Sequence, residues 1–259
     1  MNIPFQNVSQ IKSGLSKKKI YRSIKNNFGK IIIDFSKDED EMHNFFFIYN
    51  ILKKIDVTIP NIYEVNLKNK IVVMEDFGDN AFDKIYQKEG LYNLLKLAIE
   101  NLIIIENSIS KDDLASLKKY TFTELIEEIS EFVDYYIPFK KITKFPVKLF
   151  YKTWERVYKD EKFIFDSFVH KDFEFINLIF INKNSLQYKC GIIDFQSAFL
   201  GFKGWDLFSI LENPRLEFTR EYNHKLIKYF YENINFAYDF DTFLNQYYTL
   251  NLARQTRLL

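Results

Sequence analysis

Cysteine occurs once in this sequence, at position 190, so no internal disulfide can staple the fold. With only His43, His170 and His224 beside it, no Cys/His cluster has the spacing of a zinc site. Glycine is scarce, 7 residues in 259, and no Gly-x-Gly-x-x-Gly loop occurs anywhere. An excess of one charge is missing too: Lys+Arg 36 against Asp+Glu 35 leaves a net charge of +1, which removes the usual electrostatic case for a nucleic-acid partner. Long apolar runs are absent. The richest, 45–52 and 97–105, are broken by Asn or Glu and fall short of the roughly 20 residues that a membrane helix needs. The N-terminal residues Met1 to Asn7 carry no basic segment followed by an apolar run, so no secretory leader is expected. These absences together predict a soluble, cytoplasmic protein with no membrane partner.

What is present in excess is aromatic: 28 Phe, 17 Tyr and 2 Trp make 18% of the chain. Most fall at core-facing helical or strand positions among abundant Ile, Lys and Asn, so they are read as packing. With 47% hydrophobic and 27% charged residues, 259 residues suffice for one large domain or two lobes.

The first third alternates like a sheet. Residues 19–24 and 30–35 are β-branched and aromatic, with a hairpin break at Asn26-Asn27-Phe28-Gly29. Ser36 to Asp40 offers helix caps and an acidic first turn. Phe45, Ile48, Tyr49, Ile51, Leu52 and Ile55 then follow at helical spacing. Two more strands are expected at 63–67 and 71–74. Beyond Glu75-Asp76-Phe77-Gly78-Asp79-Asn80 the pattern becomes helical, at 91–109, 122–136, 145–158, 217–231 and 240–259, interrupted by a β-rich stretch at 163–195. The layout expected is α+β, a strand-rich nucleotide-binding lobe over residues 1–78 and a helix-rich catalytic lobe over 79–259.

Polar residues with no local structural task cluster in the β-rich stretch. His170-Lys171-Asp172 is followed, five residues after the Asp, by Asn177 and an apolar strand; a second strand ends in Ile193-Asp194-Phe195-Gln196. Phosphoryl transfer needs such a set: one carboxylate to accept the proton of an attacking hydroxyl, and a carboxylate with an amide oxygen to hold magnesium on the nucleotide phosphates.

The stretch resembles the aminoglycoside phosphotransferase and choline kinase family, whose members share the protein-kinase-like fold. Within it the sequence is most similar to bacterial kinases of the anomeric hydroxyl of N-acetylmuramate and N-acetylglucosamine. That likeness is carried by residues 193–198, Gly201 and Trp205-Asp206-Leu207-Phe208-Ser209-Ile210-Leu211-Glu212, and also by 74–79 and 16–22. The resemblance implies that Asp172 is the catalytic base, that Asn177 and Asp194 are the magnesium ligands, that His170 and Asp206 brace the catalytic loop, and that Glu75 to Phe77 form the hinge meeting adenine. It implies ATP and Mg2+ as cofactors. Asp76-Phe77-Gly78 spells the kinase metal motif but precedes the catalytic loop, so Asp194 is the metal candidate.

The phosphate-binding side departs from the wider kinase pattern. Besides the missing glycine loop, Ile31-Ile32-Ile33-Asp34 stands where a kinase lysine is expected, and Phe45-Phe46-Phe47 where its helix glutamate is. Ser16, Lys18, Lys19 and Arg22 are the candidates left to bind phosphate. For the acceptor, the resemblance points to Glu128 and Tyr135, and Arg215 is placed to meet an acidic group. The reading is an ATP-dependent kinase of an amino-sugar hydroxyl in cell-wall recycling, a monomer or weak dimer. The alternatives are a choline, ethanolamine or aminoglycoside kinase and, given the departures, an inactive pseudokinase.

Overall fold

A computed structural model describes residues 8–11, 17–25, 28–182, 188–214, 216 and 219–258. Ser16, Arg215 and the Ser13-Gly14-Leu15-Ser16 segment lie outside the described residues. The fold is α+β, strands first and mostly helices after. Its contacts gather into two compact units, Met1–Ile104 with Glu174–Ser197, and Ile105–Phe173 with Ala198–Leu259.

The first unit holds a five-stranded antiparallel sheet of order β1-β2-β3-β5-β4, made of β1 (Val8–Ile11), β2 (Lys19–Lys25), β3 (Phe28–Asp34), β4 (Ile62–Asn66) and β5 (Ile71–Glu75). β2 and β3 pair in the expected hairpin, Lys25 opposite Phe28. Alternation puts Tyr21, Ile32 and Val73 on one face, where they pack together with Ile71. Helix α1 (Glu39–Leu52) follows β3. The Asp38 carboxylate caps it by accepting the Glu41 N–H at 3.0 Å, and Glu39, Asp40 and Glu41 favour its positive end. Its apolar face, Met42, Phe45, Ile48, Ile51 and Leu52, is buried.

The second half opens with α2 (Phe82–Glu89) and α3 (Leu91–Ser108), followed by α4 (Lys111–Ser116) and α5 (Phe122–Glu131). Thr121 and Glu124 form a capping box at the start of α5. The expected 122–136 helix does not run through as one α-helix: residues Phe132–Tyr136 widen into a π-turn before the short α6 (Ile137–Phe139). Helix α7 (Val147–Glu161) begins two residues later than expected because Pro146 sets its entry. After it come β6 (Ser167–Val169), β7 (Leu178–Asn182), β8 (Tyr188–Ile192) and β9 (Phe199–Gly201), then α8 (Trp205–Leu211), α9 (Arg220–Glu232) and α10 (Phe240–Leu258). Much of the aromatic excess is core in the second unit. Tyr120, Phe199 and Trp205 pack ring on ring, and Trp205, Phe208, Tyr247 and Phe243 continue the series. Cys190 is buried, which pushes its thiol up and keeps it unreactive. No helix among the described residues is long and apolar enough to cross a membrane.

Candidate functional site

The site candidates fall in both units, and each set has its own architecture. In the first unit the β7–β8 hairpin pairs Leu178 with Ile192, which puts Asn177 across from Ile193; the Ile193 N–H donates to the Asn177 carbonyl at 3.1 Å. That bond ties Asn177 to the residue immediately before Asp194, the other candidate metal ligand. Asp194 itself has a left-handed backbone, φ 63°, a conformation that Asp tolerates better than most residues.

Its placement is fixed by the next residue. Phe195 is buried and stacks on Phe45 of α1, ring centroids 5.3 Å apart, with Tyr49 beside it. Glu41 lies one helical turn before Phe45 on the same face, so the stacking that anchors Phe195 brings Asp194 to Glu41's end of the helix. Lys18 lies between them, its Nζ 2.8 Å from Glu41 Oε1 and 2.8 Å from Asp194 Oδ1. Gln196 completes the group, donating to Asp194 Oδ1 at 2.9 Å and to Glu41 Oε1 at 3.1 Å. Lys18 is 5% exposed and Asp194 is 40% exposed. Burial by itself lowers the Lys18 pKa, but Asp194 and Glu41 outweigh it and hold the ammonium above its ordinary value.

The sequence places no lysine at Ile31-Ile32-Ile33-Asp34 of β3 and no glutamate at Phe45-Phe46-Phe47; here Lys18, at the approach to β2, pairs with Glu41 of α1. Glu41 sits in a run, Asp38 to Glu41, whose caps and acidic first turn account for it without any site. Gln196 and Glu41 are the residues that sequence reasoning left out.

Of the other basic candidates, Arg22 is committed elsewhere. Its Nε is 2.7 Å from Asp76 Oδ2, a second nitrogen pairs with Asp79, and a third contact reaches the Gly78 carbonyl at 3.2 Å. It braces the connector after β5, where Gly78 takes φ 85°. Lys19 opens β2, opposite Asp34 of β3. At the end of β5, Glu75 accepts from the Asn61 backbone and side-chain N–H groups. The Phe77 ring lies so close to β8 that a Cβ on Gly191 would come 2.6 Å from it.

In the second unit, Asp206 on α8 accepts the backbone N–H groups of His170 at 2.7 Å and Lys171 at 3.1 Å. These two bonds hold the loop that presents Asp172, at a point where Lys171 has φ 79°. His170 is fully buried, its ring edge-on to Phe173. Burial pushes the Asp206 carboxyl up to about 8, while its two N–H donors pull it down.

Glu128 on α5 is also in this unit. It accepts from the Tyr120 hydroxyl at 3.0 Å and faces Arg257 of α10 at 3.5 Å. Burial raises its pKa, and the charges of Arg257 and Lys171 oppose the rise. Lys171 adjoins Asp172, so Glu128 lies within electrostatic reach of the loop that presents Asp172. Tyr135, by contrast, is 73% exposed on the π-turn.

Among the described residues no group of three His, Cys, Asp or Glu side chains could hold a metal on its own. A magnesium site built from one carboxylate and one amide oxygen does not need such a group, because phosphate and water supply its other ligands. Asn177 and the partly exposed Asp194 fit that description.

No family model and no curated protein matches this chain. Solved structures do. The GDP complex of an aminoglycoside 2′-phosphotransferase-IIIa mutant superposes with a TM-score of 0.68 at 16% identity, over 98% of this chain and 84% of that one. A choline kinase, LicA, from Streptococcus pneumoniae gives 0.62 at 14% identity over 98% and 94%. An ethanolamine kinase from Plasmodium vivax gives 0.65 at 12% identity over 97% and 74%. At such identities the likeness establishes the shared fold.

Proposed function

We propose that this protein is an ATP- and Mg2+-dependent small-molecule phosphotransferase acting on a hydroxyl group, its acceptor an amino sugar of the N-acetylmuramate or N-acetylglucosamine kind. The observation that carries the reading is Lys18 held between Glu41 and Asp194: a buried ammonium kept charged beside a partly exposed carboxylate suits the grip on a nucleotide's phosphates. That pair weighs against a catalytically silent relative. The solved structures of the same fold named for aminoglycoside, choline and ethanolamine substrates add support for phosphoryl transfer.

In this reading Asp172 accepts the proton of the attacking hydroxyl and Asn177 and Asp194 hold the magnesium. Bound there, magnesium neutralises charge developing on the transferred phosphoryl group. Asp206 and His170 keep the Asp172 loop in one conformation. Lys18 grips the phosphates, and the connector from Glu75 to Phe77 meets the base. On this division of labour residues 1–78, together with Asn177 and Asp194, serve the nucleotide, and the rest of 79–259 serves the acceptor.

Choline, ethanolamine or aminoglycoside acceptors are the second reading, favoured by the names of the solved neighbours. Against them stands Glu128, an acidic residue near the catalytic loop whose charge Arg257 already answers. A cation gains little from a carboxylate so paired, whereas an uncharged or acidic sugar loses nothing. The test is ADP release with a panel of neutral amino sugars, N-acetylmuramate and cationic acceptors, with and without magnesium. Magnesium-dependent release with the sugars is expected, falling by about three orders of magnitude or more in Asp172→Asn and Asp194→Asn. Turnover confined to cationic acceptors transfers the assignment to the second reading. Full activity in either variant overturns the catalytic scheme.

A further inference from the structure

Between Asp134 and Glu155 the chain carries no acidic residue but five lysines, at 140, 141, 144, 148 and 152. In a protein of net charge +1 this gathers positive charge into one short segment. The same segment turns apolar side chains outward. Phe139 at the end of α6 is 77% exposed and Leu149 in the first turn of α7 is 61% exposed, and Ile142 and Val147 are exposed between them.

The inner side of the segment is firmly packed. Phe132, Phe145 and Phe150 form a ring cluster with centroids 5.5 to 5.8 Å apart, and Trp154 is buried. The Ile142 and Lys141 N–H groups close the turn onto the Ile137 and Pro138 carbonyls at 3.1 and 3.0 Å. The outward residues are thus displayed by an ordered turn and helix start. Lys140 lies 5.4 Å from the Phe139 ring centroid, so a charge and an apolar face emerge side by side.

We propose that residues 139–152 form a membrane-surface patch that docks on an anionic lipid bilayer. Phe139, Ile142 and Leu149 enter the boundary between headgroups and acyl chains, and the five lysines meet lipid phosphates. Charge complementarity commits the patch to this occupant. Every cation in it is lysine, a point charge suited to a diffuse anionic surface, with none of the arginine forks that read carboxylates one by one. Along the chain its apolar residues alternate with lysines, whereas a protein partner favours an apolar centre depleted of lysine. The expectation of no membrane partner rests on the lack of a spanning segment, which a protein lying on the surface does not need.

The test is co-sedimentation of the full chain with vesicles of phosphatidylcholine alone and of phosphatidylcholine with about one third phosphatidylglycerol. Binding to the anionic vesicles only is expected, weakening as salt is added. Replacing Lys140, Lys141 and Lys144 together by Gln should lower the partition coefficient by about a hundredfold. Phe139→Ser with Leu149→Ser should lower it by about tenfold or more without changing the salt dependence. These residues are exposed, so circular dichroism of the variants should match the parent. The proposal is overturned if the parent protein ignores anionic vesicles or binds neutral ones equally. It is overturned as well if the serine variant binds as the parent does, or if immobilised polyglutamate retains the protein while anionic vesicles do not, which assigns the patch to an acidic protein.

Discussion

Lys18 shows how much one side chain can carry. It lies between two carboxylates that the Gln196 amide also bridges, and its removal leaves Glu41 and Asp194 as like charges without their cation. Lys18→Met should therefore raise the KM for ATP and cut kcat/KM by about two orders of magnitude, with Lys18→Arg restoring the charge but not the geometry. Steady-state kinetics with ATP varied separates this from a loss of acceptor binding. Gly191 is a second sensitive position, for steric reasons: a Cβ there would meet the Phe77 ring at 2.6 Å and Ile181 at 2.8 Å. Gly191→Ala should destabilise the protein by about 1–3 kcal/mol in urea melts and also weaken nucleotide binding, because Phe77 must move. The motif His170, Asp172, Asn177 and Asp194 is legible in the sequence because no local structural rule asks for those polar residues between apolar strands. Glu41 is not legible, because helix capping already explains the acidic run around it.

Elements explain why the residues meet. The β7–β8 register joins Asn177 to Ile193, and the α1 face that buries Phe45 receives Phe195, so two ordinary packing events assemble the Asp194 surroundings. Phe195→Ala empties a fully packed site and should cost about 3 kcal/mol or more. It should also lower turnover, since Asp194 loses its anchor; thermal denaturation and ADP release measured on the same preparation would show both losses together. A variant that melts early yet keeps full turnover at low temperature would separate Phe195 from the site. Four strands of the sheet and the long helices follow the expected order, since period-two and period-three-to-four patterns are strong there, while the short β1 carries no such pattern and is not expected from the sequence. The π-turn at 132–136 was not legible, because its apolar spacing reads as a continuous helix.

At the scale of the molecule the buried charges set the pH response. Burial holds the Glu106 carboxyl up to about 7, against Lys203 at 3.5 Å and the Ser167 hydroxyl. The folded protein thus keeps a proton that the unfolded chain releases near pH 4.5. The stability linked to Glu106 is present in full below that value and is lost as pH rises toward about 7. Asp206, raised to about 8, acts with the same sign. Glu106→Gln should remove its share, so the gap in stability between variant and parent should shift by about 2–3 kcal/mol in the variant's favour from about pH 5 to about pH 8. Urea melts across that range measure it, and an unchanged gap refutes it. Sequence by itself determined the class of fold, the order of its main strands and long helices and the polar motif, because periodicity and misplaced polar residues are local signals. Tertiary structure alone decided that Lys18 and Glu41 meet Asp194 and that residues 174–197 belong with the N-terminal unit. Those pairings join residues far apart in the chain, and only the packing of one element on another selects among the many charges that could have met.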